Sequence, residues 1–287
     1  MKVLITGGAG MLGKELTELL TKATSWQLSS LDLPEMDITN PNHVSQTLSN
    51  IRPDVVINCA AHTDVDRCEK EPTLAFQVNA EAPRLLANGL AKLGGLLVQV
   101  STDFVFDGTK TTPYTEEDKP NPLNVYGQSK LTGELAVQEA GCNHIIARTA
   151  WLYGPYGKNF ISSFVIRRAR NGESLPLVTD QVGSPSYTLD VADAIMQLVH
   201  ARAHGLFHVA NSGSCSRLDF AKAALKEARL KADITPIMTK ELSLPARRPA
   251  YSALSSVKLG KCTGRPIPHW EVSLRHFIRR MITLDNP

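Results

Sequence analysis

No stretch of the 287 residues stays apolar for the roughly 18 to 20 positions a bilayer-crossing helix needs. The first apolar run follows a single lysine, Lys2, and is cut short at Gly7 and Gly8, which argues against a secretion signal. Cysteine is scarce: Cys59, Cys68, Cys142, Cys215 and Cys262 are odd in number and form no C-x-x-C pair. Neither a disulfide framework nor a zinc site is built that way, so no metal site is expected and a cytoplasmic, reduced protein is. An excess of one charge is missing too. Against 28 Asp+Glu stand 31 Lys+Arg, a net charge of +3, and the basic pairs Arg167-Arg168, Arg247-Arg248 and Arg279-Arg280 are too short to follow a phosphate backbone. Neither nucleic acid nor a membrane is an expected partner. Repeats and low-complexity tracts are also lacking.

What remains is the balance of an ordinary globular chain, 43% apolar and 21% charged, long enough for one large domain or two smaller ones. Through the first half, short apolar runs (residues 2–6, 27–32, 55–59, 96–101 and 145–149) alternate with longer amphipathic stretches. Leu12, Leu16, Leu19 and Leu20 share one helix face, and further helices are predicted over 73–93 and 126–138. Fully apolar strands alternating with helices require a parallel sheet covered on both faces, so an α/β doubly wound (Rossmann) fold is expected, with its ligand crevice at the strand C-terminal ends. After residue 151 the pattern loosens. Residues 1–150 read as a dinucleotide-binding domain, joined by a returning strand near 206–210, and 151–287 mostly as a smaller substrate-binding lobe.

Between the first strand and the first helix lies Thr6-Gly7-Gly8-Ala9-Gly10-Met11-Leu12-Gly13. Gly7, Gly10 and Gly13 satisfy G-x-x-G-x-x-G, and Gly8, Gly10 and Gly13 satisfy G-x-G-x-x-G. Such glycines allow a tight turn, close approach of a pyrophosphate and packing of helix on strand, with the helix N–H groups facing the anion. Asp32 follows the last glycine by 19 residues, at the end of the second strand. A carboxylate there suits the adenine ribose hydroxyls and favours NADH over NADPH, whose extra phosphate it repels. Tyr126 and Lys130 form Y-x-x-x-K, which places phenol and ammonium on one helix face. The cation is expected to lower the tyrosine pKa, as a proton donor working near neutral pH requires. The pair alone is weak, since about 0.3 are expected by chance. Its position after a strand ending in Ser101-Thr102-Asp103 strengthens it.

Taken in order, the glycine loop, the strand-end hydroxyl and Y-x-x-x-K resemble the extended short-chain dehydrogenase/reductases. Six segments, NCAAHTDVDRCE (58–69), STDFVFDG (101–108), YGQSKLTGE (126–134), RTAWLYG (148–154), DQVGSP (180–185) and ARRPAY (246–251), extend that resemblance over nearly the whole chain. They are similar to a branch that acts on nucleotide-sugars. The resemblance implies reduction of the C4 ketone of dTDP-4-dehydro-L-rhamnose to dTDP-L-rhamnose by NADH or NADPH. It makes Tyr126 the proton donor, Lys130 the holder of the nicotinamide ribose, and Thr102 the hydrogen-bond partner of the ketone oxygen. Asp103 and Trp151 become substrate contacts, the indole offering a stacking surface or an apolar wall.

By the same resemblance Met11 and Leu12, with the glycines, belong to the cofactor loop, Asp37 and Ile38 to the adenine side, and Ala61, His62 and Thr63 to a second cofactor loop. Asn79 matches a supporting helix asparagine, against the plainer reading of a polar side chain bonded to backbone. Arg247-Arg248 reads either as a diphosphate cradle or as a solvated turn. Some members dimerise through Mg2+-bound carboxylates; Glu15 matches one such position, but Tyr187-Thr188-Leu189-Asp190 offers no second glutamate, so both the metal and a homodimer stay open, and Glu15 also reads as a solvated charge. Two other functions compete: another NAD-dependent nucleotide-sugar enzyme, either a reductase or an epimerase or dehydratase that retains its NAD, and a non-catalytic regulatory subunit of the same fold.

Overall fold

The structure, a computed structural model, describes residues 1–285. Its centre is a six-stranded, all-parallel sheet. Strands β1 (Lys2–Thr6) and β2 (Gln27–Leu31) flank helix α1 (Met11–Ala23). Helix α2 (Pro41–Ile51) then leads to β3 (Val55–Asn58), followed by α3 (Val65–Lys70). Helix α2 lies outside the helices predicted from the sequence, although Val44, Leu48 and Ile51 share one face and pack into the core; Asn40 caps it, accepting from the backbone N–H groups of Asn42 and His43. Helix α4 (Pro72–Phe76) runs through a wide π turn (Gln77–Glu81) into α5 (Ala82–Leu93). Strand β4 (Leu96–Thr102), α6 (Val125–Glu139) and β5 (Asn143–Thr149) complete the first half.

Strand order is β2-β1-β3-β4-β5 with one further strand outside β5. The chain reverses direction between β1 and β3, the switch point at which doubly wound folds open their crevice. Alternate residues of each strand feed two cores. Val3, Ile5, Ile57, Val98 and Ile145 pack beneath α1, while Leu4, Val56, Leu97 and Ile146 pack beneath α2 and α5. Both faces are dry, which is why these strands read as unbroken apolar runs.

The second half adds short ladders: β6 (Leu152–Tyr153), α7 (Arg167–Arg170), β7 (Leu175–Val178), β8 (Val182–Gly183) and β9 (Ser186–Tyr187). Then come α8 (Thr188–His200), β10 (Gly205–His208), β11 (Cys215–Ser216), α9 (Arg217–Glu227), β12 (Ile234–Ile237), α10 (Val257–Thr263) and α11 (Trp270–Asp285). Strand β10 returns to the sheet beside β5, with Phe207 opposite Ala147. Helix α8 also returns, placing Val191, Ile195 and Leu198 in the same core as α1. A separate aromatic core of Tyr153, Tyr187, Phe220, Trp270 and Phe277 holds the rest of this half together.

Candidate active site

The strand ends facing the crevice are tied side to side by polar groups. Thr6 Oγ1 donates to Asn58 Oδ1 (2.6 Å), Asn58 Nδ2 to Gln99 Oε1 (2.8 Å), and Gln99 Nε2 to the Val100 carbonyl (2.9 Å). All three side chains are buried. Satisfying one another fixes the relative heights of β1, β3 and β4, and so of the loops that follow them.

In the glycine loop, Gly7 has φ +70°, and a Cβ there would lie 2.5 Å from the Ala60 nitrogen, so loop and β3 meet in a contact only glycine allows. A Cβ on Gly13 would sit 2.2 Å from the Gly7 carbonyl oxygen, which is how closely α1 packs on the loop. Gly10 is the N-cap of α1; no side chain caps it and no acidic residue occupies the first turn. The first-turn amides, Met11 and Leu12 among them, are left to an anion, as a pyrophosphate site requires. Leu12 itself is buried in the core, so its contribution is its backbone. Asp32 accepts from the Ala9 N–H (2.9 Å) and the Leu33 N–H (2.8 Å), which ties the end of β2 to the loop. Asp37 is turned onto Thr39, accepting from its N–H and hydroxyl, bonds that hold its carboxyl below the usual range. Ile38 is buried in the α2–α5 core.

The loop after β3 is held by Asn79. Its Oδ1 accepts from the His62 N–H (2.9 Å), and its Nδ2 donates to the His62 carbonyl and the Ser129 hydroxyl, both 3.0 Å. The π turn presents this side chain. Pro83 has no N–H to offer the Asn79 carbonyl, and the helix widens there, Ala82 N–H reaching back five residues to Gln77. Asn79 thus grips the stretch Ala61-His62-Thr63 and the Tyr126 helix together, which unites its two sequence readings: bonded to backbone, and supporting the site.

Helix α6 begins at Asn124, which caps the Gly127 N–H. A Cβ on Gly127 would lie 2.2 Å from the Phe104 carbonyl oxygen, so the helix sits tight on the turn after β4. That contact brings Tyr126 edge-on to Phe104, 5.7 Å between ring centres. It also sets the phenol against Thr102. Burial pushes the Tyr126 pKa well up, and so does the Asp103 charge, while the Thr102 hydroxyl works the other way. Lys130 is buried and donates to the Val100 carbonyl at 2.6 Å. Burial lowers its pKa to about 8, against the opposing pull of Glu134. Lys130 is not among the groups that shift the phenol here: its ammonium donates to β4, and desolvation dominates at Tyr126. One turn further along α6, Glu134 accepts from Arg148 Nε (2.9 Å) and Nη2 (2.6 Å) and from the Ser101 hydroxyl (2.5 Å), a sealed ion pair beneath the lysine.

Asp103 lies in a short 3₁₀ turn after Thr102 and is buried. Ser252 Oγ donates to it at 2.6 Å and Thr102 Oγ1 at 3.1 Å, yet burial still raises its pKa to about 6. Ser252 stands 149 residues away, and nothing in the sequence marked it. Trp151 follows β5 with φ +45°, a left-handed conformation that is strained for an aromatic residue. Its indole is not an open stacking surface. The Arg217 guanidinium lies 3.5 Å over the ring centre. A Cβ on Gly183 would fall 2.4 Å from Cε2 and 2.7 Å from both Cζ2 and Nε1, a pattern that puts Gly183 over a ring face. Sequence reasoning missed Arg217 altogether.

Arg248 is engaged by Asp66, Nη2 to Oδ2 at 2.6 Å, and Arg247 is exposed. One further reading is corrected. Glu15 is no solvated charge: it is buried, paired with Arg280 (2.6 Å), and accepts from the Thr188 hydroxyl. Asp190 is bonded to Asn211 and Ser273. Among the described residues no three metal-ligating side chains come together, and no helix is long and apolar enough to cross a membrane.

A glycine loop at the switch point, with hydroxyl, tyrosine and lysine gathered at the end of β4, is the layout of a nicotinamide-dependent oxidoreductase of the extended short-chain dehydrogenase/reductase class. The chain belongs to the RmlD substrate binding domain family, which it matches over residues 1–283. It is similar to the crystal structure of a dTDP-4-dehydrorhamnose reductase from Clostridium acetobutylicum, with 39% identity and a TM-score of 0.94 over 98% of this chain and 100% of that one. A dTDP-4-dehydrorhamnose reductase from Bacillus anthracis, solved in complex with NADP, is 40% identical with a TM-score of 0.93, covering 97% of this chain and 99% of that one. A probable dTDP-4,6-dihydroxy-2-methyloxan-3-one 4-ketoreductase from Streptomyces antibioticus is 39% identical over 100% of this chain and 98% of its own.

Proposed function

We propose that this protein reduces the C4 ketone of dTDP-4-dehydro-L-rhamnose to dTDP-L-rhamnose, with NADH or NADPH as reductant. The observation that carries the reading is the Tyr126 phenol set against Thr102 at the end of β4, with Lys130 fixed one turn away. Names of the full-length relatives support the substrate. When bound, the nicotinamide supplies the hydride that becomes the new hydrogen on C4. Gly7, Gly10 and Gly13, with the amides of Met11 and Leu12, take the pyrophosphate, and Asp32 takes the adenine ribose.

Thr102 and Tyr126 hold the ketone oxygen between two hydroxyls. As charge gathers on that oxygen, the Tyr126 proton moves to it, and the Thr102 hydroxyl stabilises what remains. Lys130, anchored on Val100, holds the nicotinamide ribose in place. NADH is the preferred reductant on this reading, because the Asp32 carboxylate repels a 2′-phosphate; the NADP-bound relative keeps NADPH as a second substrate. A cytoplasmic setting and a homodimer complete the reading, with sedimentation as the check on assembly.

The test mixes purified protein with freshly made dTDP-4-dehydro-L-rhamnose and each reductant. The expected result is stoichiometric loss of the reduced nicotinamide absorbance, with dTDP-L-rhamnose as product. Turnover confined to another 4-keto dTDP-sugar favours the second reading, suggested by the Streptomyces relative. Cofactor bound but never consumed removes the reductase assignment and leaves an epimerase that retains NAD or a regulatory subunit.

A further inference from the structure

Four arginines with substantial burial illustrate how this fold treats guanidinium groups. Arg148 is paired with Glu134, Arg248 with Asp66, and Arg280 with Glu15 and Glu18. Arg217 differs. It is half-buried and its backbone N–H donates to the Gln181 carbonyl, yet among the described residues no carboxylate lies within ion-pair distance of it and no acceptor takes its guanidinium N–H groups. Such a cation is costly to hold unless a partner arrives.

Its position is nevertheless fixed. The guanidinium lies flat on Trp151 at 3.5 Å and 5.1 Å from the Phe160 ring centre. Gly183 also packs against the indole, leaving no room for a side chain there, so the ring is hemmed in. Stacking holds a planar guanidinium while leaving the N–H groups along its edge free for a bidentate acceptor. Asp103 and Arg248 are among the charges that act on Arg217. Asp103 accepts from Ser252 and Thr102 and takes no hydrogen bond from the guanidinium. Asp103 also acts on the Tyr126 phenol, so Arg217 belongs to the same crevice. In a nucleoside-diphosphate sugar the diphosphate leaves C1, across the ring from C4. A sugar whose O4 meets Tyr126 and Thr102 carries its diphosphate away from the phenol, and an unpaired guanidinium in that crevice suits it.

We propose that Arg217 binds the diphosphate of the nucleotide-sugar, and that Trp151 serves as the platform positioning it. The inference rests on the reductase reading for the identity of the nucleotide. Its test uses equilibrium binding, which needs no turnover.

Calorimetry with dTDP and with thymidine, on the full chain and on Arg217→Gln and Arg217→Lys, decides it. Losing a charge-assisted contact of this kind weakens binding by about 10- to 100-fold. Arg217→Gln is expected to lose dTDP affinity by that factor, with thymidine and NADPH affinities unchanged. Arg217→Lys, which keeps the charge but not the planar stack, is expected to fall between. Should Arg217→Gln fail to fold, Arg217→Lys decides alone: dTDP weakened against unchanged thymidine supports the assignment. Equal dTDP affinity in wild type and a folded variant overturns it, as does a parallel loss of dTDP and thymidine. Absence of NAD(P)H oxidation by the wild type, with the dTDP difference intact, instead overturns the choice of substrate and leaves the diphosphate site standing.

Discussion

The two walls of the crevice are built on opposite principles. On the sheet wall the charged and amide groups around the site are answered by the protein: Lys130 by Val100, Glu134 by Arg148 and Ser101, Asn79 by His62 and Ser129, with single atoms such as Arg148 Nη1 and Thr149 Oγ1 left over. On the lobe wall a cation is held in place by aromatic rings and answered by nothing. Rigid, satisfied groups suit chemistry, where a proton must leave from one defined atom. An unanswered charge suits binding, because the free energy of pairing is realised only when the anion arrives.

The change that strikes hardest at this contrast is Tyr126→Phe. Removing the proposed proton donor is expected to lower kcat by roughly 10²–10⁴-fold while cofactor binding holds, measured by steady-state turnover and NADH titration. Unchanged turnover would strip the sheet wall of its chemical role. Next comes the ion pair beneath the lysine. Arg148→Met leaves the Glu134 carboxylate buried and uncompensated, and denaturant unfolding is expected to show a loss of about 3–5 kcal/mol. A loss well under 1 kcal/mol would show that pair to be far less committed to the fold than its burial implies.

A smaller effect is expected from Asp103, at the seam between the walls. Its pKa of about 6 lies above the ordinary 3.8, so the folded protein binds this proton more tightly than the unfolded chain does. That contribution is complete below about pH 4 and is lost as pH rises through 6, a swing on the order of 3 kcal/mol. Asp103→Asn should flatten the stability profile in that window; an unaltered slope would place the titration elsewhere. Smallest is Asp32→Ala, expected to weaken NADH several-fold more than NADPH in direct binding. Because Asp32 also receives the Ala9 N–H, Asp32→Asn is the control that keeps an acceptor for the loop. Equal losses of both cofactors in both variants would remove Asp32 from ribose recognition.

Legibility in the sequence follows the same divide. The sheet wall is written locally: apolar strands, a glycine loop within seven residues, and a tyrosine and lysine one helical turn apart. Each signal sits inside a window short enough for periodicity to show it. The lobe wall is assembled from afar. Ser252 reaches Asp103 across 149 residues, and Arg217, Trp151 and Gly183 come together from three separate elements. Ladders of two to four residues such as β8 with β11 and β7 with β12 carry too little pattern to be read. Charge was equally hidden, since nothing in the sequence near Glu15 announces Arg280, whose guanidinium turns a surface-looking residue into an internal one.

The wide turn at Gln77–Glu81 has a consequence of another kind. An α-helix advances about 100° per residue, so a turn that takes in one extra residue leaves the helix on either side regular but shifts its phase by that angle. Deleting one residue there would remove the extra residue and let each flanking segment keep its own packing face, with Pro83 still a break in the hydrogen-bond ladder. The grip of Asn79 on His62 and Ser129 would be gone. At this point the site depends on the number of residues in the helix as much as on their identity, and a relative differing by a single-residue gap here would share the fold without sharing this support for the loop after β3.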